Sequence, residues 1–196
     1  LSVPVCPVTA RGEEAQQPES PVSGQAEEGQ QPESPAAGRE TPDLVIRSAE
    51  EFLEFARSCT SESFSHGKRV SLEADLDLGG AAFSPVPVFC GTFAGNGHTI
   101  RGISIRQSGT SLGLFRYLGQ EALVENLAVE GELKPEGSRK KAGGIVGTNR
   151  GTVRGCTFSG TGEALEHLGG IAGINEETGV IEDCVNLAEL TGNRRV

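Results

Sequence analysis

Val70, Leu72, Ala74, Leu76 and Leu78 alternate with polar residues, the period-two signature of a strand with one buried face. Further along, a different pattern recurs: a Val or Ile, an apolar residue three positions later, and another two after that. It stands at Ile100/Ile103/Ile105, Val124/Leu127/Val129 and Val153/Cys156/Phe158, and Ile181 and Cys184 begin a fourth copy, at steps of 24, 29 and 28 residues. A glycine-rich segment recurs with it, Ala142-Gly143-Gly144-Ile145-Val146-Gly147-Thr148-Asn149 returning 26 residues later as Leu168-Gly169-Gly170-Ile171-Ala172-Gly173-Ile174-Asn175. A period of this length marks a solenoid. Glycine at this density excludes helix, at about 1 kcal/mol per interior position relative to Ala. The repeats are therefore short strands, and a rung of roughly 25 residues is long enough to act as the crossover that parallel pairing needs. Such crossovers are right-handed in about 98% of cases. The sequence predicts an all-β chain, a right-handed single-stranded parallel β-helix of about four rungs.

Turn residues refine this picture. Asn96-Gly97 between apolar runs predicts a tight turn. Gly119, Asn149 and Asn175 each lie six residues after Gly113, Gly143 and Gly169, so they are expected to share a left-handed backbone, with Asn149 and Asn175 close enough to bond through their amides. Ser48-Ala49-Glu50-Glu51 forms a capping box followed by Phe52, Leu53 and Ala56 at helical spacing. This predicts one helix, Ala49 to Ser58, covering the open end of the coil because a terminal rung must hide its apolar cross-section. Its polar face is acidic, which disfavours a role as a membrane-surface helix. At the other end Val196 follows a rung with no cap, so the chain is expected to continue beyond it.

Composition divides the chain in three. Residues 1–10 are apolar and uncharged and end in Val8-Thr9-Ala10, which resembles the end of a signal peptide. Residues 11–43 hold eight acids, two arginines and a 14-residue repeat of Glu-Glu-x-Gln-Gln-Pro-Glu-Ser-Pro, a disordered acidic linker that carries −6 of the net charge of −10. Residues 44–196 are the β-helix. The acidity is thus a property of the linker and identifies no ligand, and no apolar run is long enough to span a bilayer.

Read together, Ala74-Asp75-Leu76-Asp77-Leu78, Gly91-Thr92-Phe93-Ala94-Gly95-Asn96-Gly97-His98-Thr99-Ile100, Gly113-Leu114-Phe115, Gly144-Ile145-Val146-Gly147 and Gly170-Ile171-Ala172-Gly173 resemble the GLUG-motif repeats of bacterial surface proteins. Such β-helices also precede the catalytic region of immunoglobulin A protease type metallopeptidases. The resemblance covers roughly residues 44 to 193 and implies a repeat β-helix on an exported protein. Arg116 stands where the first copy would end in Gly, Ala94 where Asp is usual, and Ala172 is small.

Candidate chemistry is sparse. Asp75 and Asp77 lie two apart on one predicted strand and would project to one side, as an acid and base of a glycan-cleaving β-helix would; as outward residues of an alternating strand they need no such role. No third carboxylate completes a calcium site. His66, His98 and His167 are scattered, without the His-Glu-x-x-His of a zinc peptidase, and His98 reads as structural beside the turn. Arg139-Lys140-Lys141 is a basic loop, and one Tyr with no Trp argues against nucleic-acid binding. Cys156 and Cys184 share a repeat position and are expected as buried thiols, Cys59 and Cys90 have the option of pairing, and Cys6 leaves with any signal peptide.

No cofactor, metal or catalytic group is therefore expected. The residues singled out are structural: Gly113, Leu114, Phe115, Gly144, Ile145, Gly147, Asn149, Cys156, Gly170, Ile171, Gly173, Asn175 and Cys184 in the repeat, Asn96 and Gly97 in the turn. The expected function is a non-catalytic module of an exported bacterial surface protein, a spacer or adhesive surface, whose partners are a host glycan, an extracellular protein or other domains of the same chain. An accessory region of a secreted metalloprotease, and less readily a glycan-cleaving enzyme, remain open alternatives.

Overall fold

A computed structural model describes residues 41–79, 83–137, 141–164 and 166–192. The signal-peptide reading of residues 1–10, the linker up to residue 40, Cys6, Arg139 and Lys140 lie outside the described residues. What is described is a coil of parallel strands making about five turns. One sheet runs β1 (Leu44–Ile46), β2 (Arg69–Leu72), β5 (Thr92–Ala94), β9 (Leu123–Glu125), β13 (Thr152–Arg154), β17 (Val180–Glu182). A second runs β3 (Leu76–Asp77), β6 (Thr99–Ile105), β10 (Ala128–Leu133), β14 (Thr157–Ala164), β18 (Val185–Asn186), with β19 (Glu189–Gly192) also on β14. A third runs β4 (Val86–Phe89), β8 (Phe115–Leu118), β12 (Val146–Asn149), β16 (Ala172–Asn175), and a short fourth β7 (Ser111–Leu112), β11 (Lys141–Gly143), β15 (Leu168–Gly169).

Successive turns stack like on like. Val70, Phe93, Val124, Val153 and Ile181 form one column, and Leu76, Ile100, Val129 and Phe158 another. All of these except Ile181 are buried. The coil has one more turn than the four expected, because the run Val70 to Leu78 is already part of it. That run is two strands rather than one: β2 joins the first sheet, β3 the second, and Glu73-Ala74-Asp75 turns the corner between them. The polar-apolar alternation passes through the corner unbroken and so conceals it.

The register of the earliest copy also differs from the sequence alignment. Val124 pairs with Phe93, not Ile100, and Val129 pairs with Ile100. Seven positions separate Phe93 from Ile100 but five separate Val124 from Val129, the excess being taken up by the Asn96-Gly97 turn, where φ is 53° and 80°. A bulge at Gly102 (φ 75°) then sets Ile103 beside Gly131 and Ile105 beside Leu133. The left-handed column lies elsewhere than predicted. Gly119, Asn149 and Asn175 are not left-handed, Asn149 and Asn175 being strand residues of β12 and β16; the positive φ values belong to Asn126, Gly155 and Asp183, each just past the first sheet.

The helix α1 spans Ala49–Ser58, with Ser48 Oγ accepting from the Glu51 amide at 3.2 Å and the Glu51 carboxylate accepting from the Ser48 amide. It lays Phe52 and Phe55 over the first turn, where both rings meet Phe93 at 6.4 and 6.0 Å. Phe89 and Phe115 extend the cluster, so the core is richest in rings at this end; in register with Phe115 the third sheet then carries Val146 and Ala172, while Phe158 keeps a ring in the second sheet. A second helix, α2 (Glu62–Ser65), precedes β2.

Candidate functional site

The glycine motifs form the tight reversals between the short fourth sheet and the third. Gly113 and Leu114 link β7 to β8, Gly144 and Ile145 link β11 to β12, and Gly170 and Ile171 link β15 to β16, with Leu114, Phe115 and Ile145 inside the core. None of these glycines has a positive φ. Their reason is closeness. A Cβ on Gly144 would fall on the Phe158 ring and the Gly170 carbonyl, one on Gly113 would stand 2.8 Å from the Gly143 carbonyl, and one on Gly173 2.6 Å from the Ala142 amide. Gly147 is equally enclosed, by Ser111 and Leu112. Where Arg116 replaces the last glycine of the first copy, its Nε donates to the Ser111 carbonyl at 3.1 Å.

Asn149 is the one fully enclosed amide side chain in the coil among the described residues. Its Nδ2 donates to Asn175 Oδ1 at 2.7 Å and to the Val180 carbonyl at 3.3 Å, and its Oδ1 accepts from the Gly151 amide at 3.1 Å. The expected amide pair thus exists, though it is held by strand backbone. Its polarity is satisfied entirely within the stack, as a buried amide requires.

The two aspartates face separate tasks. Asp75 Oδ1 accepts from the Thr99 amide at 2.9 Å and lies 3.2 Å from His98 Nδ1, with Arg101 at 3.7 Å from the other oxygen. The Thr99 amide first, and then the His98 ring, hold its carboxyl below the usual carboxylate range. A general acid of glycan cleavage needs a shift in the opposite direction. Asp77 Oδ1 accepts from the Gly79 amide two residues on, at 2.8 Å. The corner at Asp75 also removes the premise that both lie on one strand. His98 is structural, tied to Asp75; His66 lies on the surface 3.5 Å from Glu121; and among the described residues no three His, Cys, Asp or Glu side chains gather where they would hold a metal.

The cysteines are free thiols in the described chain. Cys156 is enclosed, its Sγ donating to the Arg154 carbonyl at 3.3 Å, and burial pushes it up to about 12; Cys59 is likewise pushed up to about 12 by burial. Cys184 is half-buried in the same repeat position and is also raised by burial, as is Cys90. Burial of this kind suits a space-filling thiol and disfavours the thiolate that a nucleophile needs.

What the sequence reading missed is charge arranged in columns. Glu125, Arg154 and Glu182 follow one another up the first sheet, with Arg154 at 2.7 Å from Glu125 and 3.7 Å from Glu182. Arg150 meets Glu176 at 2.6 Å, Arg47 meets Glu73 at 2.7 Å, and Arg106 meets Glu132. Each joins consecutive turns on the outer surface. For Glu125, Arg154 and Glu182 the spacing was present in the sequence, since these three sit one past the apolar column that defines the repeat.

No family model matches the chain, and no solved structure matches it. It is similar to the halomucin of Haloquadratum walsbyi, 32% identical over 124 residues and covering 56% of this chain. It is also 32% identical over 123 residues, 59% of this chain, to a protein of Evansella cellulosilytica named as a Gly-rich membrane protein. The chain spans about 1% of the first relative's length and 14% of the second's. Among the described residues no helix is long and apolar enough to cross a membrane.

Proposed function

We propose that this chain is a non-catalytic module of an exported bacterial cell-surface protein, built on GLUG-type repeats and serving as a rigid spacer with an adhesin-like outer face. The observation that carries the reading is where the candidate chemistry goes. Asp75 is engaged by Thr99 and His98, Asp77 by Gly79, and the buried Cys156 thiol by the Arg154 carbonyl, so these side chains serve the stack. The names of the two relatives, a halomucin and a Gly-rich membrane protein, support a surface location. The columns of ion pairs give the coil a polar, regular exterior, and a solenoid of this kind offers an extended surface whose residues repeat with each turn. The ligand class of an adhesive face is a glycan or an extracellular protein.

The test is binding of the purified full chain to an array of glycans, mucins and matrix proteins, with its fold verified by a β-type circular dichroism spectrum and a cooperative melt. Saturable binding to one class supports the adhesive face, and no binding by a folded sample leaves the spacer. Release of reducing sugar ends from any arrayed glycan, abolished by Asp75→Asn, would overturn the non-catalytic reading. Resistance of the chain to externally added protease on intact producing cells would count against surface exposure.

A further inference from the structure

The two ends of the described coil are unlike. At the first, α1 seats Phe52 and Phe55 over Phe93. At the other, β15, β16 and β17 are each the last strand of their sheets. Ile181 is in register with Val153, Val124 and Phe93, which are fully buried, yet it is 38% exposed. Val180, Val185 and Leu187 beside it are exposed by 44%, 47% and 67%. A flat edge of apolar strands is a template for pairing.

The charge on this last turn says what it would pair with. Residues 168–192 carry Glu176, Glu177, Glu182, Asp183 and Glu189 and no Lys or Arg. In the turns beneath, Arg154 lies between Glu125 and Glu182, and Arg150 lies against Glu176. A cation over Glu182 would continue the first column, and one over Glu176 would flank that carboxylate as Arg150 does from below. We propose that this face docks a further parallel turn of the same repeat, one that sets an apolar residue over Ile181 and an arginine or lysine over Glu182 and Glu176. A second copy of the chain does not fit those terms. Joined face to face, two copies oppose acid with acid, and joined end to end, the acidic face meets α1, where the exposed Glu50, Glu51 and Glu54 outnumber the one exposed cation, Arg57. The chain's own turn from Lys141 to Ala164 does fit, since it carries Val153, Arg154 and Arg150 in the required registers.

The experiment appends a second copy of Lys141–Ala164 to the full chain after Val196 through a short Gly-Ser linker. A companion protein carries Glu in place of both appended arginines. The arginine-bearing extension is expected to raise the Tm by at least about 4 °C and to slow exchange of the Val180 and Ile181 amides at least tenfold, with the glutamate version giving less than half of each. A charge-swapped pair keeps the test open if that comparison is clouded by misfolding: the glutamate extension should raise the Tm of a chain carrying Glu176→Arg and Glu182→Arg above that of the same doubly substituted chain without an extension, a reference that already includes the lost contacts to Arg150 and Arg154. Equal gains from both extensions, no gain from either, or sedimentation of the unextended chain as a dimer at micromolar concentration would each overturn the proposal, the last by showing that a second copy covers the face.

Discussion

Asn149 is a buried polar side chain that ties three neighbouring segments of the coil together, and replacing it by alanine tests how far the stack depends on it. The Gly151 amide, itself buried, loses its acceptor, and an unpartnered buried donor costs about 1–3 kcal/mol. The bond to Asn175 at 2.7 Å adds about 1 kcal/mol. The Val180 carbonyl adds little, because Val180 is exposed and water replaces the weak 3.3 Å contact. Asn149→Ala should therefore destabilise by roughly 2–4 kcal/mol, and Asn175→Ala, which loses the same amide bond and the exposed one to the Gly179 carbonyl but leaves the Gly151 amide its acceptor, by about 1–2 kcal/mol. Urea unfolding followed by circular dichroism measures both, and the double variant isolates the coupling between the two amides. Equal costs for the two single variants would refute the reasoning, since the enclosed amide would then be doing no more than the exposed one.

Four further outcomes follow from the same geometry. Gly144→Ala puts a methyl on the Phe158 ring and should lower stability by about 1–3 kcal/mol or more, read as a fall in urea midpoint, whereas a change at Gly97 meets open space and is strained only through its φ of 80°. Ser48→Ala removes the Glu51 cap and should cost about 1 kcal/mol while speeding amide exchange along α1. Asp75 has its carboxyl depressed, so its contribution is present above the unfolded value of about 3.9 and is lost as pH falls through the lower folded value. Asp75→Asn should therefore flatten the acid limb of the stability curve below about pH 4, measured by urea midpoints. In a Cys6→Ser background the remaining four thiols should resist a thiol reagent at pH 8 and react once urea unfolds the chain, and fast labelling of Cys156 in the folded protein would contradict its burial.

Legibility in the sequence followed the physics of each element. The helix was readable to its ends because its capping signals are local, and Ser48, Glu51 and the Phe52 face need nothing from the rest of the chain to announce themselves. The last turns were readable because Val124, Val153 and Ile181 keep equal corners between strands, so spacing alone gives register. The first turn was not, because Asn96-Gly97 lengthens one corner by two residues and Gly102 inserts a bulge, and counting from apolar residue to apolar residue slips past both. The corner at Glu73-Ala74-Asp75 was hidden for another reason: alternation records which side faces the core, not whether the strand has changed sheets. Asn149 was read as a turn residue from its chemistry, whereas its role comes from the partners stacked beside it. The signal for the true left-handed column was present, since Asn126, Gly155 and Asp183 each precede the inward Leu127, Cys156 and Cys184.

One column of backbone bonds tests the coil itself. Thr92, Leu123, Thr152 and Val180 each donate their amide to the preceding turn, to Lys68, Gly91, Ala122 and Gly151 at 2.8, 2.9, 2.8 and 2.8 Å. Scalar couplings across hydrogen bonds, measured by NMR on isotope-labelled protein, should link these four amide nitrogens to those four carbonyl carbons in that order. Coupling of Leu123 to a carbonyl near Ile100 in place of Gly91, or the absence of turn-to-turn couplings from a folded sample, would contradict the stacked parallel coil on which the functional reading stands.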